Sequence, residues 1–175
     1  MKTLIIHPKD NTTDMLKYVY INHSEYTVCR DNGISKSELR KLIENHDRII
    51  MLGHGLPQGL INEARNGLLI DDSFAELLKS KNTLSMWCYS DRYFSRHNIK
   101  GFHTGMIISE VAEEMHALNA IPLNEQEMLE NFEFISKCLG DCIEMNADDI
   151  KSYMLTHYNR DDEVSRFNRN SFIVI

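Results

Sequence analysis

The amino-acid sequence predicts a three-layer α/β sandwich with a mostly parallel sheet and a helical C-terminal third. Short apolar runs such as residues 49–52 stop abruptly at turn residues, which is typical of strands that are buried on both faces. In the first half of the chain these runs alternate with helical patterns, and this alternation favours a parallel sheet. Beyond residue 122 the apolar residues recur mainly at helical spacing.

The first half of the chain predicts three strands separated by two helices. The strands are residues 3–7, 26–29 and 48–52. Asn11 and Thr12 are suitable N-caps for a helix that reaches about residue 21. Ser35 and Glu38 match a capping box, which predicts that a second helix begins there.

The second half predicts a surface hairpin, further strands and the helical third. Two apolar arms, residues 59–62 and 67–70, flank the turn signal Asn66-Gly67. The later strands are predicted at residues 83–87, 105–108 and 171–175, and the later helices at residues 73–79, 110–118, 124–142 and 148–158. No linker or internal repeat separates these elements, so we predict one domain over residues 1–175.

The bulk composition is that of an ordinary globular protein and argues against some partners. The chain has 175 residues, of which 42% are hydrophobic and 26% charged, and its formal net charge is −7. Because no basic stripe is present, neither nucleic acid nor a membrane is an expected partner. The N-terminus is typical of a first strand rather than a signal peptide, and no apolar stretch is long enough to span a membrane. The four cysteines form no CxxC pair, so we expect reduced thiols and a cytoplasmic location.

A histidine and a cysteine follow two of the predicted strands. His54 comes after residues 49–52, and Cys88 comes after residues 83–87. The carboxyl ends of parallel strands meet at one edge of a sheet, where an imidazole can hold a thiol as thiolate. The glycine after His54 leaves the Gly55 N–H available to form an oxyanion hole with the Cys88 amide. A solvated loop histidine and a buried structural cysteine are the simpler interpretations.

This pattern resembles the caspase-like (clan CD) cysteine peptidases, in which an apolar strand ends in His-Gly and a later one ends in Cys. The resemblance covers roughly residues 1–108 and implies a caspase-like or flavodoxin-like strand order. It also implies that His54 is the general base, Cys88 the nucleophile and Gly55 an oxyanion donor. The chain departs from the family at Trp87, where a small residue is usual, and at Tyr89, where caspases have glycine.

Several other residues are candidates for the same edge of the sheet. His7, Asp10 or Asp91 can orient the base, although the simpler interpretation of His7 is that it ends a strand. Trp87 can form the floor of a substrate pocket to which His7 and Asp91 contribute, with Asp91 binding a basic side chain. A metal site would have to use Asp91, His97, His103 or His54, whose spacings match no zinc pattern, so no metal or other cofactor is predicted.

The leading hypothesis is a caspase-like cysteine endopeptidase that uses a His54–Cys88 dyad on a peptide or protein substrate. One alternative is an inactive caspase-like module for binding or assembly, which Trp87 and the missing glycine favour. Another is a flavodoxin-like domain that binds a nucleotide or other small anion through loop amides near Gly53 and Gly55. No P-loop or GxGxxG pattern supports that last alternative, and the sequence predicts no oligomeric state.

Overall fold

The computed structural model describes residues 1–118 and 123–175. The described residues form nine strands: β1 (Thr3–Ile6), β2 (Thr27–Cys29), β3 (Arg48–Leu52), β4 (Gly55–Leu56), β5 (Gly59–Asn62), β6 (Gly67–Ile70), β7 (Asn82–Met86), β8 (Gly101–Thr104) and β9 (Phe172–Val174). Six of them form a central sheet in the order β2-β1-β3-β7-β8-β9, and β4, β5 and β6 form a small second sheet. Neighbours in the central sheet are parallel except β8 and β9.

The described helices lie between and after these strands. The α-helices are α1 (Lys36–Glu44), α2 (Ala75–Leu78), α3 (Ser90–His97), α4 (Val111–Ala117), α5 (Glu125–Cys142), α6 (Ala147–His157) and α7 (Glu163–Asn170). Short 3-10 helices are formed by Asp14–Val19, Glu63–Arg65 and Asp72–Phe74. In the part of the chain that the structure describes, no helix is long and apolar enough to cross a membrane.

Helices pack on both faces of the central sheet, so the predicted three-layer sandwich with a mostly parallel sheet is confirmed. On one face, α5, α6 and the 3-10 helix Asp14–Val19 pack against a cluster that includes Ile5 and Ile50. On the other face, α1, α2 and α3 pack against a cluster that includes Leu4 and Ile49. Successive strand residues therefore alternate between the two cores. The prediction of one domain over residues 1–175 stays a prediction.

Two of the helices begin at capping boxes that are visible in the sequence. The Ser35 hydroxyl accepts the Glu38 N–H, and the Glu38 carboxylate accepts the Ser35 N–H at the start of α1. Asn124 and Glu127 make the same pair of hydrogen bonds at the start of α5. Each box supplies partners for backbone N–H groups that a helix leaves without an internal acceptor.

The fifth strand of the sequence prediction is wrong in position. It was predicted at residues 105–108, whereas β8 begins at Gly101. Gly101 has a φ of 153°, and a Cβ there would lie 2.0 Å from the Thr83 carbonyl oxygen, so glycine is required for the close approach of β7. Ile107 and Ile108 are buried beyond the end of the strand, which is why their apolar run imitates a strand.

Two helices also differ from the sequence prediction. The helix predicted from Thr12 is a 3-10 helix, Asp14–Val19, and its N-cap residue Thr13 makes no side-chain capping bond. Helix α7 was not predicted, because its sequence is mostly polar and offers only a narrow apolar face. Pro122, the predicted boundary of the helical third, lies outside the described residues.

Candidate functional site

The order of the central strands creates a crevice beside β1. The chain pairs β1 with β2 on one side and then returns to place β3 on the other side. In open parallel sheets, ligands bind outside the carboxyl ends of the strands at such a change of direction. The loops that follow β1 and β3 carry Asp10, Thr12 and His54 to this position.

Thr12 joins Asp10 to His54. The Thr12 hydroxyl donates to Asp10 Oδ1 at 2.5 Å, and the Thr12 N–H donates to the same oxygen at 2.7 Å. Thr12 Oγ1 also lies 2.6 Å from His54 Nε2. Because the single hydroxyl hydrogen is given to Asp10, the hydrogen of the second contact comes from the imidazole. The Nε2–H of His54 therefore donates to Thr12.

Glu63 approaches the same group from the small sheet. It follows β5 and begins the 3-10 helix Glu63–Arg65, and the nearest ligand atoms of its carboxyl group and that of Asp10 lie within 4.8 Å of each other. This contact with Asp10 raises the pKa of Glu63 above its usual value. Burial works to raise the pKa of Asp10, but hydrogen bonds from Glu63 and Thr12 outweigh it and lower that pKa to about 2. The proximity of the two carboxyl groups thus shifts their pKa values in opposite directions.

A polar cleft of about 620 Å³ opens beside this group. Its walls carry charged and amide side chains, including Lys9, Asp10, Asp14, Arg30, Asn32 and Glu63. Arg30 and Lys17 donate to Asp14 at 2.8 and 2.7 Å, so Asp14 has two cationic partners. The volume of the cleft is that of a typical small-molecule site, and its lining suits a polar ligand.

A second, much smaller cavity of about 20 Å³ lies between His54 and Cys88. Thr13 and Trp87 also line it, and these two residues are 3% and 1% exposed. Thr13 Oγ1 and Trp87 Nε1 have no hydrogen-bond partner among the described protein atoms. A cavity of this size holds about one water molecule.

Cys88 faces this cavity as a protonated thiol. Its Sγ donates to the Ile107 carbonyl oxygen at 3.4 Å. Burial raises the pKa of Cys88 to about 11, and the hydrogen bond to Ile107 only partly offsets that effect. Among the described residues, no hydrogen bond joins Cys88 to His54, whose imidazole is bonded to Thr12. The structure thus brings His54 and Cys88 to one cavity without coupling them.

Two of the remaining predicted site residues, His7 and Trp87, are buried in the core, and the third, Asp91, lies at the start of α3. His7 is fully buried, with its ring nitrogens near Tyr20 Oη and the Thr13 carbonyl oxygen. Trp87 packs in the core against Gly55, where a Cβ would lie 1.9 Å from the indole ring, so glycine is required there. Asp91 is in the first turn of α3. Neither His7 nor Trp87 contributes to the wall of the large cleft.

The histidines that were considered as metal ligands lie in separate places. His97 Nε2 is 2.9 Å from Asp72 Oδ1 on the surface, and His103 is buried with Nδ1 2.7 Å from Ser85 Oγ. Within residues 1–118 and 123–175, two groups have metal-ligating atoms within 4.8 Å of one another: Asp10, His54 and Glu63, and His23, Glu25 and Glu144. Neither group contains His97 or His103.

Sequence reasoning missed Thr12 and Glu63 as members of the site. Asp10 was one of three residues considered as a partner for His54, and the structure places its Oδ1 3.8 Å from His54 Nε2. Glu63 follows the predicted hairpin arm directly, but a strand pattern does not say where a hairpin folds back. Only the three-dimensional return of β5 toward the sheet edge joins Glu63 to the loop after β1.

Comparisons with known proteins return little. No family model matches the sequence, and no curated protein matches it. Among solved structures, the chain is similar to an NADPH-quinone reductase from P. pentosaceus, with 15% identity over 97% of this chain and 99% of that chain and a TM-score of 0.37. A likeness this distant assigns neither a ligand nor an activity to the chain.

The caspase-like resemblance and the cysteine endopeptidase function are wrong. The comparisons return no caspase-like protein. The described geometry gives a physical reason, because a nucleophilic cysteine needs a lowered pKa and a base within hydrogen-bond reach. Cys88 instead donates to a carbonyl group and has a raised pKa, while His54 is held by Thr12.

Proposed function

We propose that this chain is a small-ligand-binding α/β domain whose site is the polar cleft at the carboxyl ends of β1 and β3. One observation carries the proposal: Asp10, His54 and Glu63 come from three separate segments and converge beside a cleft of about 620 Å³. Polar groups that converge at a change of strand direction are what a ligand site on a parallel sheet requires.

The chemistry of the walls supports a polar ligand over an apolar one. Three acidic side chains, Asp10, Asp14 and Glu63, face two basic ones, Lys9 and Arg30, in the same cleft. Asn11 and Asn32 also line the cleft, and amide groups can donate or accept hydrogen bonds. A compact ligand with both acceptor and donor groups matches this lining, whereas a hydrocarbon surface would leave charged groups without partners.

We retain a cytoplasmic location as part of this proposal, which four free cysteines support. The expected absence of nucleic-acid and membrane partners stays a prediction.

The proposal is tested by screening classes of ligand against the wild type and against a variant whose cleft is filled. Nucleotides, phosphorylated sugars, amino acids and organic acids are added to the full chain, and the shift in melting temperature is measured. Ala64→Phe places a ring in the cleft without removing a polar group, and Thr156→Phe adds the same ring to an exposed site on α6. We expect at least one class to raise the melting temperature of the wild type and of Thr156→Phe, but not of Ala64→Phe.

Two results would overturn the proposal. One is the absence of a shift in the wild type with every class, confirmed by calorimetric titration of the same compounds. The other is a shift of equal size in Ala64→Phe, which would place the bound ligand outside the cleft.

A further inference from the structure

Three side chains in or beside the cleft have the composition of a metal-ligand set. Asp10 and Glu63 each offer a carboxylate oxygen and His54 offers a ring nitrogen, and these atoms lie within 4.8 Å of one another. Ligand atoms around a first-row metal ion with bonds of about 2.1 Å are roughly 3–3.5 Å apart. Closing the triangle therefore needs only small side-chain rotations. The three residues are spread over 53 positions of the chain, so they form no local sequence motif.

We propose that Asp10, His54 and Glu63 bind a divalent cation of the Mn²⁺ or Zn²⁺ type, through which the cleft holds an anionic group of its ligand. The inference rests on the proposed function, since it names how that same cleft would bind. One imidazole with two carboxylates suits Mn²⁺ or Zn²⁺ better than Ca²⁺ or Mg²⁺, which prefer oxygen ligands alone.

The charges around the cluster favour a cation. Asp10 and Glu63 are in contact with each other, and within the described residues neither has a lysine or arginine nitrogen within 4.0 Å. The nearby Arg30 is paired with Asp14 instead. Two carboxylates this close repel each other when both are ionised, and a positive charge between them relieves that repulsion. A divalent cation between them would supply that positive charge.

The cluster also has the supporting contacts and open space of a working metal site. The N–H and hydroxyl of Thr12 both bond Asp10 Oδ1 and fix its orientation, as outer partners of metal ligands do. The side chains of Asp10 and His54 are 15% and 23% exposed, so ligand atoms can reach a cation from the cleft. For His54 Nε2 to bind the cation, its proton must move to Nδ1 and its contact with Thr12 must break.

An independent feature lies on the other side of His54. Thr13 Oγ1 and Trp87 Nε1 belong to residues more than nine-tenths buried, lack partners among the described protein atoms, and line the small cavity that His54 also lines. The cavity beside the imidazole is therefore lined by two residues whose polar atoms, a hydroxyl and an indole N–H, are available to bind an oxygen atom.

The overall charge of the cleft explains why the cation matters for the ligand. Lys9 and Arg30 supply two positive charges, and Asp10, Asp14 and Glu63 supply three negative ones when ionised. The difference of one negative charge repels an anion. A bound divalent cation reverses the sign, so that a carboxylate or phosphate group can bind the cation and Lys9 together.

Calorimetric titration with Mn²⁺ alone tests the site. We expect the wild type to bind one Mn²⁺, and Asp10→Asn and Glu63→Gln to weaken that binding at least about tenfold, as loss of a direct ligand requires. Asp14→Asn is the matched control, because it removes the same charge from the same cleft but is not a proposed ligand. It should change Mn²⁺ affinity by less than about threefold, since general electrostatics contributes weakly in water. Glu25→Gln controls for the second cluster, and should have no effect.

A direct measurement keeps the proposal testable if a variant fails to fold. Mn²⁺ broadens the NMR signals of nearby nuclei, so in the wild type the His54 ring signals should broaden before those of His23. Absence of Mn²⁺ binding, equal losses in Asp14→Asn and Asp10→Asn, or broadening of His23 first would each overturn the cation site.

The ligand screen separates this inference from the proposed function. A ligand that binds wild type but not Ala64→Phe equally well in EDTA and in Mn²⁺ would sustain the proposed function and refute the cation. Mn²⁺ binding at Asp10 and Glu63, with no ligand class bound in any condition, would sustain the cation site and refute the proposed function. An organic acid or phosphate that binds only with Mn²⁺ supports both.

Discussion

The two loops that follow β3 and β7 end at the same edge of the sheet but enter different environments. His54, after β3, is partly exposed and belongs to a hydrogen-bonded polar group with Thr12 and Asp10. Cys88, after β7, donates to a buried carbonyl group and follows Trp87, which is 1% exposed. The loop after β3 therefore joins a hydrogen-bonded polar group, and the loop after β7 completes a core. Residues that follow neighbouring strands at the same edge of a sheet can therefore have different chemical environments.

The largest effect that tests this comparison is expected at Trp87. Trp87→Ala should lower the free energy of unfolding by about 3–5 kcal/mol, because it leaves a cavity among Gly55, Tyr93 and Phe94. Leu56→Ala, at a residue 47% exposed, is the control and should cost well under about 1 kcal/mol. Urea unfolding of both variants measures the difference. Similar costs for the two would show that the loop after β7 is not part of the core.

The reactivity of Cys88 provides the next test. A thiol pKa of about 11 instead of the usual 9.0 reduces the thiolate fraction at neutral pH about 100-fold, so alkylation by iodoacetamide should slow by that factor relative to a free thiol. His54→Ala should leave the rate unchanged, because the imidazole is bonded to Thr12. Peptide mapping by mass spectrometry follows Cys88 separately. A slower rate in His54→Ala would mean that the two loops are chemically coupled after all.

The fold was largely predictable because burial on both faces leaves a clear pattern in the sequence. Strand β3 and the arms β5 and β6 have the predicted bounds, and the Ser35 capping box is formed. The start of β8 was not predictable, since Gly101 is there for the close approach of Thr83, a contact between distant segments. Local propensity does not contain such contacts.

The site was predictable in position but not in chemistry. Strand periodicity placed His54 and Cys88 at one edge of the sheet, yet the direction of each side chain depends on the surrounding packing. Trp87 fills the space beside Gly55, and the hairpin returns Glu63 to Asp10. Both facts arise from contacts across the fold, which one strand-end motif cannot specify.

Buried histidines sharpen the contrast between polar cleft and core. Burial lowers the pKa of His7 to about 4 and that of His103 to about 3, so both stay neutral in the folded protein when the unfolded chain takes up protons. Their stabilising effect is present above the ordinary histidine pKa near 6.5 and is lost as pH falls below it. Each histidine can lower the free energy of unfolding by up to about 1.4 kcal/mol per pH unit. Between pH 6 and 5 the two together should therefore lower it by about 2 kcal/mol.

Urea unfolding across this pH range measures the decrease. His103→Asn removes one of the two groups, so its decrease between pH 6 and 5 should be about half that of the wild type whatever its absolute stability. Equal decreases in variant and wild type would show that His103 titrates normally and that its surroundings admit water.

The smallest expected effect concerns Thr12, which holds the polar cluster together. Thr12→Val keeps the shape of the side chain but removes the hydroxyl that contacts Asp10 and His54. Because Thr12 is exposed and its N–H still donates to Asp10, the free energy of unfolding should decrease by only about 0.5–1.5 kcal/mol. Thr12→Ser retains the hydroxyl and should restore most of that stability, while the His54 ring signals in NMR spectra should move in the valine variant alone. A cost for Thr12→Val as large as that for Trp87→Ala would remove the distinction between the two loops, since the polar cluster would then stabilise the fold as strongly as the core does.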